Sequence, residues 1–123
     1  MRAVLLVSHG SRLVETKQEV VSLIQKLKRK TEVPVFKYAF LEIERPNIPR
    51  GIDLCVKKGA TDVTILLNFL NTGRHVNHDI PRIVLAAQAK YPSVTFRITP
   101  PLGQHPKIVE LFLELLKHSH RAV

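Results

Sequence analysis

The apolar run at residues 5–7 stops on Ser8, His9, Gly10 and Ser11, and a second run at 64–70 leads through Gly73 and Arg74 to His75 and His78. Imidazole is a common nitrogen ligand for metal ions and accepts a proton near pH 7. Both tasks need a ring at an accessible mouth, which the end of a buried strand supplies. Gly10 and Gly73 let backbone approach a bulky ligand closely. Glu42 closes another apolar run, in "AFLEIERP", where its carboxylate could take a proton, bind metal or pair with Arg45 or Arg12. A single histidine is more often structural than functional, so the pair matters only if the chain brings the two rings together.

The elements that must position them alternate. Residues 2–8 are too continuously apolar for a strand with one wet face. Leu13, Val20, Ile24 and Leu27 then recur at helical spacing and end in "KLKRK", cations that favour a helix C-terminus. Residues 33–42 read as an edge strand because Pro34 removes a ladder donor. A short helix carries Ile48, Ile52, Cys55 and Val56 to a stop at Gly59. Residues 62–70 are apolar almost throughout. A third helix begins near Asp79 with Pro81 in its first turn, residues 93–99 alternate as an edge strand does, and a last helix starts near Pro106.

Four strand–helix repeats predict one doubly wound α/β domain over residues 1–123, a four-stranded parallel sheet in the order 2-1-3-4 flanked by helices. In such sheets ligands bind beyond the carboxyl ends of the strands where the winding reverses, here between strands 1 and 3. That crevice receives both His9 and His75. His78 lies three residues beyond His75 and is a candidate further ligand or a solvent-facing neighbour of the third helix. His105 lies at the same edge but farther out. His118 and His120 read as a frayed polar tail.

Composition narrows the classes. A chain of 123 residues with 45% hydrophobic side chains can bury a sizeable core. One cysteine, Cys55, excludes an internal disulfide and multi-cysteine zinc motifs. The opening "AVLLV" is too short for a signal peptide or a membrane span, and a cytoplasmic protein is expected. Nineteen Lys+Arg against ten Asp+Glu give a net charge of +9, which attracts anionic partners. No phosphate-binding glycine motif occurs, and Ser11 lacks a nucleophile-elbow context. The "KLKRK" run has no interleaved aromatics, so a solvated helix end is the better reading than a nucleic-acid surface. The last helix places Ile108, Val109, Leu111, Phe112, Leu113, Leu115 and Leu116 over an arc of ~200°, enough to pack against both the sheet and a second subunit.

"LLVSHGSR", "AFLEIERPNIPRGI", "FLNTGRHVNHDIP" and "ITPPLGQHP", in that order, resemble the small form of the sirohydrochlorin cobalt chelatase family, the CbiX-type class II chelatases. The most specific piece is Gly73, His75 and Val76 followed by Asp79, Ile80 and Pro81. The resemblance implies a chelatase-like fold and a lyase that inserts a divalent metal into sirohydrochlorin, a tetrapyrrole with eight carboxylates, for cobalamin or sirohaem synthesis. Cobalt is the expected metal, with iron and nickel as alternatives, and no organic cofactor, nucleic acid or membrane partner is expected. It implies His9 and His75 as catalytic and metal-binding residues, with Glu42 at an acidic, catalytic position; His78, where this chain departs from the family's pattern, could add a further metal ligand. Ser8, Gly10, Ser11, Arg12, Arg45, Gly73 and Arg74 would bind substrate, and a homodimer would complete the cleft. Asn77 stands where such chains often carry arginine, which removes one cation from the loop.

Three rivals share some of these features. A metal carrier or sensor would use the same histidines without transforming a tetrapyrrole. A basic nucleic-acid-binding domain would bind independently of them. A histidine phosphatase wants arginine directly before the histidine–glycine pair, where Ser8 stands.

Overall fold

The computed structural model describes residues 1–118 and 122. Its strands are β1 (Arg2–Ser8), β2 (Val35–Phe40), β3 (Asp62–Leu67) and β4 (Thr95–Ile98), alternating with helices α1 (Val14–Lys30), α2 (Ile48–Lys57), α3 (Ile80–Lys90) and α4 (Ile108–Lys117). A π-helical turn, His75–Asp79, precedes α3, and a 3₁₀ turn, Leu102–Gln104, precedes α4. The strands pair in parallel in the order β2-β1-β3-β4, the arrangement expected from the apolar runs. Register aligns Ser8 of β1 with Phe40 of β2, and Val7 with Leu67 of β3, so three strands end level at one edge. Asp62 and Ile65 of β3 align with Thr95 and Ile98 of β4.

One face of the sheet is sealed. Leu5, Val7, Ala39, Val63, Ile65 and Leu67 pack there against Ile48, Ile52 and Cys55 of α2 and Ile80 and Val84 of α3. Each fully buried large aliphatic contributes about 1.5–3 kcal/mol relative to exposure. Gly51 brings α2 close, since a Cβ there would stand 2.9 Å from Ala39 and Leu5. Burial pushes the Cys55 thiol up to about 11, as suits a core residue. Asn47 starts α2 by accepting from the Arg50 amide at 2.9 Å, with Pro49 in the first turn.

The opposite face is covered only in part. Val20 and Ile24 of α1 pack on Leu6, Phe36 and Phe40, with Leu27 and Leu66 at the margin. Burial along β3 alternates, so this strand is not enclosed on both sides as its apolar run implied. The reason is α4. Instead of packing on the sheet, as its wide apolar arc predicts, it extends from the 3₁₀ turn with none of its residues buried. β4 is likewise shorter and more exposed than its alternation suggested, with only Phe96 partly buried against the core. His118 is exposed, as expected for a tail, while His120 lies outside the described residues. Among the described residues no helix is long and apolar enough to cross a membrane.

Candidate metal centre

At the end of β1 the Ser8 hydroxyl accepts from the Asn68 side-chain amide at 3.0 Å, tying together the ends of β1 and β3. His9 follows directly. Beyond β2 the chain continues beside it, the Leu41 amide donating to the Ser8 carbonyl at 2.9 Å and the Glu42 amide to the His9 carbonyl at 3.1 Å. Gly10, at φ +102°, makes this approach possible, because a Cβ there would collide with the Glu42 carbonyl oxygen. The Ser11 amide donates to the Glu44 carboxylate at 2.8 Å, closing the two loops on one another. The result is a side-chain pair: His9 Nε2 lies 2.8 Å from Glu42 Oε1, each side chain about half exposed.

His75 arrives from the other side of the reversal. It is not in an irregular loop, as the sequence suggested, but opens the π-helical turn, whose Ile80 amide donates to the His75 carbonyl. Pro81 has no N–H to offer the Asn77 carbonyl, which removes one bond that would hold a regular α-turn there. On this turn His75 Nδ1 lies 2.7 Å from Asp79 Oδ2. A carboxylate on Nδ1 favours the tautomer that leaves Nε2 with its lone pair. The His9 and His75 ring centroids are 5.2 Å apart, and Phe69 stands edge-on to His9 at 6.4 Å.

One ligand atom from each of His9, Glu42 and His75 lies within 4.8 Å of the others. Two nitrogens and one oxygen suit first-row divalent ions, and three ligands leave coordination positions open. His78 is exposed on the same turn but does not join this set. His105 accepts from the Lys107 amide at 3.1 Å, beside the start of α4.

An open cleft of about 780 Å³ adjoins His9, with Ser8, Gly10, Asn68 and residues of α1 on its walls. Of the cations assigned to substrate binding, Arg12 and Arg74 are exposed near the two histidines in sequence. Arg45 lines a separate recess with Lys17 and Arg50. Ser11 has its hydroxyl engaged with the Leu13 amide at 3.1 Å. Gly73, unlike Gly10, has open space within 4 Å of where a Cβ would stand, and its carbonyl accepts from the Asn77 amide at 2.9 Å. Two polar residues escaped the sequence reading, Asp79 as the partner of His75 and Asn68 as the partner of Ser8. The four-residue spacing of His75 and Asp79 was the available signal for the first. Asn68 directly follows β3, but nothing in its local sequence points to Ser8.

The CbiX family model matches residues 3–119. A sirohydrochlorin ferrochelatase from Priestia megaterium is 34% identical over 120 residues, covering 98% of this chain and 45% of its own length. A sirohydrochlorin cobaltochelatase from Sulfolobus acidocaldarius is 30% identical over 114 residues, covering 93% of this chain and 89% of its own. The crystal structure of the sirohydrochlorin chelatase SirB from Bacillus subtilis subspecies spizizenii, in complex with cobalt, superposes with a TM-score of 0.89 at 33% identity, over 96% of this chain and 50% of that one. The chain thus spans about half the length of the Priestia and Bacillus relatives.

Proposed function

The chain belongs to the CbiX family, and we propose that it catalyses insertion of a divalent metal ion into sirohydrochlorin in the cytoplasm, acting as a homodimer. Cobalt is the metal we assign, with iron the principal alternative, since relatives carry both names. The observation that carries this reading is the convergence of His9, Glu42 and His75 within 4.8 Å at the open edge of the sheet.

Insertion requires two pyrrole N–H protons to leave while the metal ion sheds water. His9 and His75 supply nitrogen donors, and Glu42 an anionic oxygen, for an ion that must later be surrendered to the macrocycle. A fourth protein ligand would hinder that release; three leave faces open to pyrrole nitrogens. As the ion passes to the macrocycle, the freed imidazoles can accept pyrrole protons. Glu42 keeps His9 oriented before the ion arrives through the 2.8 Å contact to Nε2, and Asp79 holds His75 from behind. Arg12, Arg74 and the net charge of +9 attract the carboxylates of the substrate.

Anaerobic incubation with sirohydrochlorin and Co²⁺, Fe²⁺ or Ni²⁺ in parallel, followed by absorption spectroscopy, tests the reading and ranks the metals. Insertion well above the spontaneous rate, fastest with cobalt, is expected. Metal binding without acceleration would identify a carrier instead, and the activity reading would fall.

A further inference from the structure

α4 and the incompletely covered face of the sheet are complementary, and among the described residues no segment buries α4 or closes that face. Val109, Leu111, Phe112, Leu113 and Leu115 each expose more than half of their surface. A ten-residue helix is shorter than the ~12–15 residues at which an isolated helix becomes even marginally stable in water, so α4 needs a surface to lie on. Such a surface exists on the α1 side of the sheet. Leu6, Leu23, Leu27 and Leu66 line an apolar groove of about 520 Å³ that runs to the segment preceding α4.

That segment directs α4 away from its own groove. The Gly103 amide donates to the Phe69 carbonyl at 3.1 Å, and a Cβ on Gly103 would collide with the Leu70 backbone. Gln104 bonds the Thr72 hydroxyl, and the Ile108 amide donates to the His105 carbonyl at 3.0 Å. Pro100, Pro101 and Pro106 stiffen the rest. Folding back would break these contacts, whereas a second copy can meet the helix where it stands. Short, stiff connections favour such exchange over closure within one chain. Charge is also complementary, because Glu110 and Glu114 occupy the polar side of α4 while Lys26, Lys28 and Lys30 flank Leu23 and Leu27 on α1. The Sulfolobus relative, spanned over 89% of its length, shows that single-lobe chains occur in this family.

We propose that two copies of this chain exchange α4 reciprocally, each helix seating its apolar face in the groove formed by Leu6, Leu23, Leu27 and Leu66 of the other. The inference rests on the dimer reading above and specifies its interface. Leu23 and Asn68 belong both to this groove and to the His9 cleft, so the exchanged helix becomes a wall of that cleft.

The test mixes two full-length single variants, Leu23→Cys and Leu115→Cys, under mild oxidation. Cys55 is buried and does not compete. A disulfide between the two different chains is expected, and its loss in denaturant before oxidation. Sedimentation of the surface variant Leu111→Glu/Leu115→Glu should show mass falling from a dimer to the 14.0 kDa single chain, with helical circular dichroism of the core retained. A dimer that persists in this variant without interchain linkage would overturn the exchange while leaving dimerisation intact. A wild-type monomer whose Leu23→Cys/Leu115→Cys double variant links only within one chain would overturn both. Insertion activity measured alongside reports separately on the chelatase reading.

Discussion

The two halves of the site hold similar rings by different means. His9 stands at the end of a central strand, and its carboxylate partner, Glu42, comes from a neighbouring loop 33 residues along the chain. Backbone bonds between Leu41 and Ser8 and between Glu42 and His9 must hold that loop in place. His75 stands on a helical turn that contains its own partner, Asp79, four residues on. One half is therefore assembled by tertiary packing and the other largely by local geometry. Glu42 also joins the candidate ligand set, whereas Asp79 acts on His75 from the side away from the lone pair. In the proposed reading, similar contacts of 2.8 and 2.7 Å thus serve different purposes, one facing the guest and one supporting a candidate ligand.

The largest expected effect treats the halves alike. His9→Ala and His75→Ala should each lower insertion roughly 10²–10⁴-fold, the usual range for a group that transfers protons in the transition state. Single-turnover spectroscopy checks this, and near-wild-type rates for either would remove that half from the mechanism. Asp79→Asn comes next, at about 10–100-fold, the usual consequence of losing a partner that orients a metal-ligating histidine. Metal titration of the same variant should show weakened affinity with the fold unchanged.

The glycines separate the halves more sharply than the histidines do. Gly10→Ala forces a side chain into left-handed backbone against the Glu42 carbonyl, at a cost of about 1–3 kcal/mol in strain alone. Gly73→Ala enters open space and should change stability by no more than about 0.5 kcal/mol. Urea unfolding of the two variants side by side measures the contrast; equal losses would show that the His75 half is also built on close backbone approach. Among the effects on insertion itself, the smallest is that of Glu42→Gln, which keeps an oxygen but loses the charge. Replacing a charge-assisted bond with a neutral one costs about 1 kcal/mol, hence about a fivefold fall in insertion.

Residues at strand ends were the legible part of the site. Apolar runs at 2–8 and 62–70 set β1 and β3 side by side, and chain continuity then carried His9 and His75 to one edge. Glu42 was legible as a candidate, but its partner was not. Arg45 and Arg12 were equally plausible in sequence, and only the backbone pairing of Leu41 and Glu42 with β1 selects His9. The Asn68–Ser8 bond was hidden for the same reason, since it joins residues 60 positions apart.

What the sequence by itself determined was the order of elements, the central place of β1 and β3 and the edge at which the histidines meet. These follow from periodicity and from the handedness of βαβ crossovers, which hold irrespective of side-chain detail. Only the tertiary structure decided which carboxylate faces which ring, that a π-helical turn carries His75, and that α4 leaves part of one sheet face uncovered. Those outcomes depend on contacts of a few ångströms between distant segments, and an apolar arc reports how much surface a helix must bury without saying which chain will cover it.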